Sequence, residues 1–155
     1  MSQIIVKDLV KIFGEHPEAA LKMLRAGHSK SEILEKTRQT VGLYDINFEV
    51  NKGEVFVLMG LSGSGKSTLL RCLNRLIEPT SGTIKIDGQD ITKANPEELR
   101  EIRRKKISMV FQRFALFPHR TVLDNVAYGL EVRGIPKEER EKKAKEVIAM
   151  VGLEG

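Results

Sequence analysis

Short apolar runs and turn residues divide the chain into alternating strands and helices. Ile4, Ile5, Val6 and Leu9 make residues 4–9 a strand, which Phe13-Gly14 closes. Pro17 suits a first helical position and Gly27 a stop; Ser29 with Glu32 forms a capping-box pattern ahead of Ile33 and Leu34. Two short helices are therefore expected over 17–37. Ile46, Phe48 and Val50 alternate with polar residues, which predicts a half-buried strand over 44–50. Asn51-Lys52-Gly53 then turns the chain, as a hairpin, into Val55-Phe56-Val57-Leu58-Met59, an apolar run of the kind buried in a parallel sheet. Apolar residues at helical spacing follow from Thr68 to Leu76. Thr83 to Ile86 reads as a strand entering the tight turn Asp87-Gly88. Asn95-Pro96-Glu97-Glu98 is a helix start, with a cap, a Pro and acids in the first turn. Ile107 to Phe111 is a further short strand; 121–128 and 136–151 are helices, with Gly152 stopping the second.

Between the apolar run and its helix lies Gly60-Leu61-Ser62-Gly63-Ser64-Gly65-Lys66-Ser67, which fits G-x-x-x-x-G-K-[ST]. Strand, glycine-rich loop, helix is the context in which this string cradles phosphate. Glycines allow sharp turns that bring backbone N–H groups close to phosphate oxygens. The positive end of the helix favours the same anion. Lys66 is the expected point charge for β- and γ-phosphates, Ser67 the hydroxyl for Mg²⁺, and Thr68 a further contact to the α-phosphate. A glycine-rich turn with a stray lysine is the bland alternative. The loop indicates a nucleotide without saying which one or what its energy drives.

The chain of 155 residues has the length of one domain, and 41% hydrophobic with 30% charged residues suits a packed core. A net charge of +5 permits an anionic ligand or membrane surface but demands neither. The single cysteine, Cys72, excludes an internal disulfide framework and fits a reducing compartment. No apolar run is long enough to span a bilayer and the N-terminus lacks a signal-peptide pattern, so the chain reads as cytoplasmic, with any membrane link made through a partner. Arg100, Arg103, Arg104, Lys105 and Lys106 share a helix with Glu97, Glu98 and Glu101 and no aromatics, which reads as a solvated face rather than a nucleic-acid surface. His16, His28 and His119 show no metal-ligand spacing.

Together these segments resemble the first half of an ATP-binding-cassette (ABC) ATPase, and most closely the ATP-binding subunit of glycine betaine/proline (quaternary amine) importers. The likeness rests on Lys11-Ile12-Phe13-Gly14, on the string from Gly60 to Gly82 with its Asn74-Arg75-Leu76-Ile77-Glu78-Pro79, on Leu99 to Glu131, and on the helices inserted over 17–37. It implies an α/β P-loop NTPase fold: the N-terminal half of an ABC-type nucleotide-binding domain, with an antiparallel β portion and a partial parallel core sheet, spanning residues 1–155. It further implies that Phe13 stacks on adenine, with Val41 lining the same side of the base. Gly60, Leu61, Ser62, Gly63, Ser64, Gly65, Lys66, Ser67 and Thr68 hold the phosphates. Gln112, in the Q-loop region 110–119, touches Mg²⁺ or the attacking water, so the implied metal contacts are Ser67 and Gln112 and the implied catalytic residues Lys66 and Gln112. Read without the resemblance, the alternative for Phe13 is a plain core aromatic and for Gln112 an ordinary strand-end residue. The implied ligands are ATP and Mg²⁺; the implied partners are membrane permease subunits, docking near 114–119, and a second ATPase subunit.

The family's signature loop, acidic Mg²⁺-binding strand and switch histidine have no counterpart in the sequence. Nucleotide binding with little hydrolysis is therefore expected of this chain, and an apolar strand edge that invites association. Three functions stay open at this point: the N-terminal part of an importer ATPase coupling ATP hydrolysis to osmoprotectant uptake, a non-hydrolysing cassette acting as an interaction or regulatory partner, and another small P-loop NTPase.

Overall fold

The computed structural model describes residues 2–111 and 115–153. They divide into two compact units, 1–99 and 100–155.

The first unit is built on four strands, β1 (Ser2–Phe13), β2 (Thr40–Asn51), β3 (Ser81–Ile86) and β4 (Gln89–Asp90), in the order β2-β1-β3-β4 and antiparallel throughout. β1 lies inside the sheet, and its apolar residues account for much of the core: Val6, Leu9 and Ile12 are fully buried, as are Ile84 and Ile91. Asp87-Gly88 joins β3 to β4 with both residues at positive φ, the primed turn that its Asp-Gly sequence predicts. Between β1 and β2 stand α1 (Pro17–Arg25) and α2 (Lys30–Thr37), the inserted helices. Ser29 caps α2 with the full reciprocal box: its Oγ accepts from the Glu32 amide at 3.2 Å, and the Glu32 carboxylate accepts from the Ser29 amide at 2.8 Å. These hydrogen bonds from Ser29 hold the Glu32 carboxyl below its usual pKa, with the His28 and Lys36 charges adding less. Ala20, Leu24 and Ile33 of the two helices pack on Val10, Ile12 and Val41 of the hairpin.

α3 (Lys66–Leu73) follows the glycine-rich loop, and α4 (Pro96–Lys106) begins in a second capping box, between Asn95 and Glu98. On α4, Glu101 pairs with Arg104 at 3.3 Å and Lys105 at 2.8 Å. In the second unit, α5 (Val122–Val132) and α6 (Lys137–Met150) pack together, with Ala127 and Ala144 buried. Glu131 of α5 bonds both Arg120 at 3.0 Å and Arg140 of α6 at 3.4 Å. Thr121 caps α5, and its side-chain hydrogen bond is the main reason the Asp124 carboxyl lies below its usual pKa.

The expected parallel portion is a correction. No parallel ladder forms among the described residues: Val55–Met59 and Ile107–Phe111 both run outside any strand. The hairpin expected at Asn51–Gly53 is likewise a turn only: β2 pairs with β1 on one edge, and no ladder joins 55–59 to it. A parallel strand gets its hydrogen bonds from neighbours delivered by crossover connections. No described segment supplies them here, and Val55 and Met59 stand 87% and 85% exposed.

Candidate functional site

The β1–β2 hairpin positions the site, and one extra residue makes this possible. Lys11 pairs with Leu43 and Ile12 with Val41, so Gly42 is left over as a bulge. Residues 11 and 12 point to opposite faces of a strand, and their partners follow them. Ile12 and Val41 enter the cluster beneath α1 and α2. Leu43, on the other face, reaches the start of α3: a Cβ on Gly65 would lie 3.1 Å from its Cδ2 and 2.9 Å from the Gly42 carbonyl. Gly65 also has φ +95°, so both space and backbone conformation require glycine there.

The loop itself turns through Gly60, Gly63 and Gly65, all at positive φ. Its centre is filled by the Lys66 ammonium, which donates to the carbonyls of Gly60 and Leu61, each at 2.7 Å, and to Ser64 Oγ at 3.3 Å. Gly65 caps α3 with no side-chain hydrogen bond, an arrangement that suits an anion meeting the helix N-terminus. Ser62, Gly63, Ser64 and Ser67 are exposed along this rim, as is Leu61; Thr68 is half-buried one residue into the helix. The donor set suits a phosphate: a fixed ammonium, hydroxyls and a helix dipole, with no carboxylate in the loop. It also suits Mg²⁺ arriving with a phosphate, since that ion keeps most of its shell as water and phosphate oxygen and takes few protein ligands. Ser67 offers one such hard oxygen. Among the described residues no cluster of His, Cys, Asp and Glu could hold a metal by itself.

Phe13 closes β1, 40% exposed. Its ring lies across Gly42, where a Cβ would come within 2.7 Å of Cε2, so the bulge glycine gives the ring its seat. Phe13, Gly42, Leu43 and Gly65 thus form a continuous path from ring to glycine-rich loop. Val41 does not join it; its side chain is buried at 7% exposure in the cluster under α1 and α2. Gln112, with Phe114, lies outside the described residues. Of the rest of the 110–119 region, Phe117 packs edge-on to Tyr128 at 4.7 Å, with the Arg120 guanidinium over both rings. Asn125 ties this loop to α5, accepting from the Phe117 amide at 2.7 Å and donating to the Phe117 carbonyl at 3.1 Å.

Sequence reasoning missed Lys11. Its ammonium lies 5.1 Å from the centroid of the Phe13 ring and donates to the Glu78 carbonyl at 2.8 Å. The available signal was its spacing, two residues before Phe13 on one strand and hence on the same face.

Residues 43–155 match the family described as ABC transporter. The chain is 60% identical over 153 residues to the glycine betaine transport ATP-binding protein OpuAA of Bacillus subtilis (strain 168), covering 99% of this chain and 37% of that protein. It is 59% identical over 149 residues to the glycine betaine/proline betaine transport system ATP-binding protein ProV of Escherichia coli (strain K12), covering 96% and 37%. With the glycine betaine/carnitine transport ATP-binding protein GbuA of Listeria monocytogenes serotype 1/2a (strain 10403S) it shares 57% over 155 residues, covering 100% and 39%. The chain therefore spans less than two fifths of the length of these relatives. Among solved structures, the ATP-binding cassette MJ0796, in a dimeric post-hydrolysis state bound to ADP and Pi, superposes with a TM-score of 0.76 at 32% identity, covering 97% of this chain and 58% of that one. The fold is that of the cassette ATPases, and no helix among the described residues is long and apolar enough to cross a membrane. With its glycine-rich loop seated on the bulged hairpin and the family matched over residues 43–155, the chain belongs to the ABC transporter family.

Proposed function

We propose that this chain binds MgATP as the N-terminal part of the ATP-binding subunit of an importer for glycine betaine or proline-type osmoprotectants. The observation that carries the nucleotide site is the Lys66 ammonium held at the centre of the loop by the Gly60 and Leu61 carbonyls. A triphosphate entering there exchanges its oxygens for those carbonyls, while backbone N–H groups of the loop and the start of α3 receive the remaining charge. Gly60 to Thr68 hold the phosphates, Phe13 takes the adenine face, and Ser67 with Gln112 meets the Mg²⁺. Mg²⁺ neutralises charge on the β- and γ-phosphates. Lys66 adds its charge to the same oxygens, and Gln112 orients the water and relays the nucleotide state. The importer reading is supported by the 57–60% identity to three betaine-transport subunits. By the same reading two cassettes act together, and permease subunits hold them at the cytoplasmic face of the membrane.

Calorimetric titration with MgATP tests the site. Replacing Lys66 by Ala removes a charge-assisted contact and is expected to weaken binding about tenfold to a hundredfold. Equal affinity in the two proteins would defeat the phosphate-site assignment.

A further inference from the structure

We infer that Lys11 is a positioning residue for the nucleotide base, fixing the Phe13 ring in the orientation on which the base stacks. The inference rests on the nucleotide-site reading above and goes beyond it by assigning a role to a residue outside the phosphate loop. Phe13 is the last residue of β1 and is exposed on a strand end, where an aromatic ring has several rotamers open to it. Two features limit that freedom. Gly42 lies against one side of the ring, where even a Cβ would clash. The Lys11 ammonium stands 5.1 Å from the ring centroid. Lys11 is itself held, because its Nζ donates to the Glu78 carbonyl at 2.8 Å across a sequence separation of 67 residues.

Glu78 is fixed in turn. Arg75 grips its carboxylate at 2.9 Å and donates to the carbonyls of Ile91 and Ala94 at 2.7 and 2.8 Å. Thr80 bonds β1 from the same turn, its hydroxyl accepting from the Ile12 amide at 2.9 Å and its amide donating to the Val10 carbonyl at 2.8 Å. The turn after α3 therefore holds the lysine, and the lysine holds the ring. The ammonium stands over one face of the ring, where the ring's quadrupole attracts a cation, which leaves the opposite face for the base. Since β1 and α3 are both anchored to this turn, ring and phosphate loop keep one spacing, which is what a ligand joining base to triphosphate requires.

The test compares MgATP with Mg-tripolyphosphate, a probe with phosphates and no base, on the full 155-residue chain. Lys11→Met keeps the apolar stem and removes the charge. It is expected to weaken MgATP about three- to tenfold and leave tripolyphosphate unchanged, while Lys11→Arg stays within about twofold of the parent. Phe13→Ala is expected to weaken MgATP alone, and adding Lys11→Met to it should cost nothing more. If Phe13→Ala weakens MgATP and Lys11→Met does not, the positioning role is wrong and the base site stands. If Lys11→Met weakens both ligands equally, Lys11 is merely structural and the inference falls. If Phe13→Ala is silent, or the parent chain does not bind MgATP, the underlying reading fails and the inference with it.

Discussion

Two apolar stretches of the first unit have opposite fates. β1 carries Val6, Leu9 and Ile12 at 0–1% exposure, while Val55–Met59, at least as apolar, lies mostly in solvent. Composition does not separate them. β1 has a ladder on each side, to β2 and to β3, and helices over one face. Val55–Met59 has no ladder, and Phe56 rests on Phe48 of β2 with ring centroids 4.9 Å apart. An apolar run becomes a strand when partners complete its backbone hydrogen bonds, and its burial follows from that pairing.

Truncation gives the sharpest way to break the contrast. Leu9→Ala is expected to cost about 2–5 kcal/mol of unfolding free energy, whereas Val57→Ala should cost less than about 0.5 kcal/mol. Urea denaturation measures both, and comparable losses would mean that Val57 is buried in solution. Alkaline pH gives the next largest effect, through Cys72. Burial pushes this thiol from 9.0 up to about 11, the nearby Lys11 and Glu78 charges contributing less. A thiol whose folded pKa is raised stays neutral in the folded state while the unfolded chain ionises. Its contribution is thus complete below pH 9 and lost as pH rises to about 11, a decline of roughly 2–3 kcal/mol. A Cys72→Ala protein should lack that part of the decline; identical alkaline slopes in the two proteins would refute the assignment. Ser29→Ala sharpens the comparison most gently. Loss of the α2 capping box is expected to remove about 1 kcal/mol, read as a fall in the urea midpoint, because α2 helps cover the β1 face.

What the sequence disclosed follows the range of the interactions concerned. The capping box at Ser29, the cap at Asn95 and the Asp87-Gly88 turn involve residues within a few positions of each other, and each forms as read. The glycine-rich loop was legible for the same reason: its glycines, lysine and serine lie in one string. β2 begins at Thr40, earlier than the alternation of Ile46, Phe48 and Val50 indicated, because two register shifts, one between Ile46 and Leu43 and one at Gly42, break the period of two. A glycine inside a strand was the available clue. The side of the hairpin that Val41 faces was hidden for that reason, since counting by twos puts it on the face of Leu43. The fate of Val55–Met59 and the bond from Lys11 to Glu78 depend on distant residues, which no local pattern encodes.

The Gly42 bulge makes the hairpin a partition with independently furnished rooms. Changes among Ala20, Leu24 and Ile33 are absorbed on the helical side, while the wall that Gly65 touches is set by Leu43 and the Gly42 carbonyl. Deleting Gly42 would leave Val41 and Leu43 as neighbours on opposite faces, so each room would keep its lining, while the Phe13 ring would lose its seat and Gly65 the carbonyl it packs against.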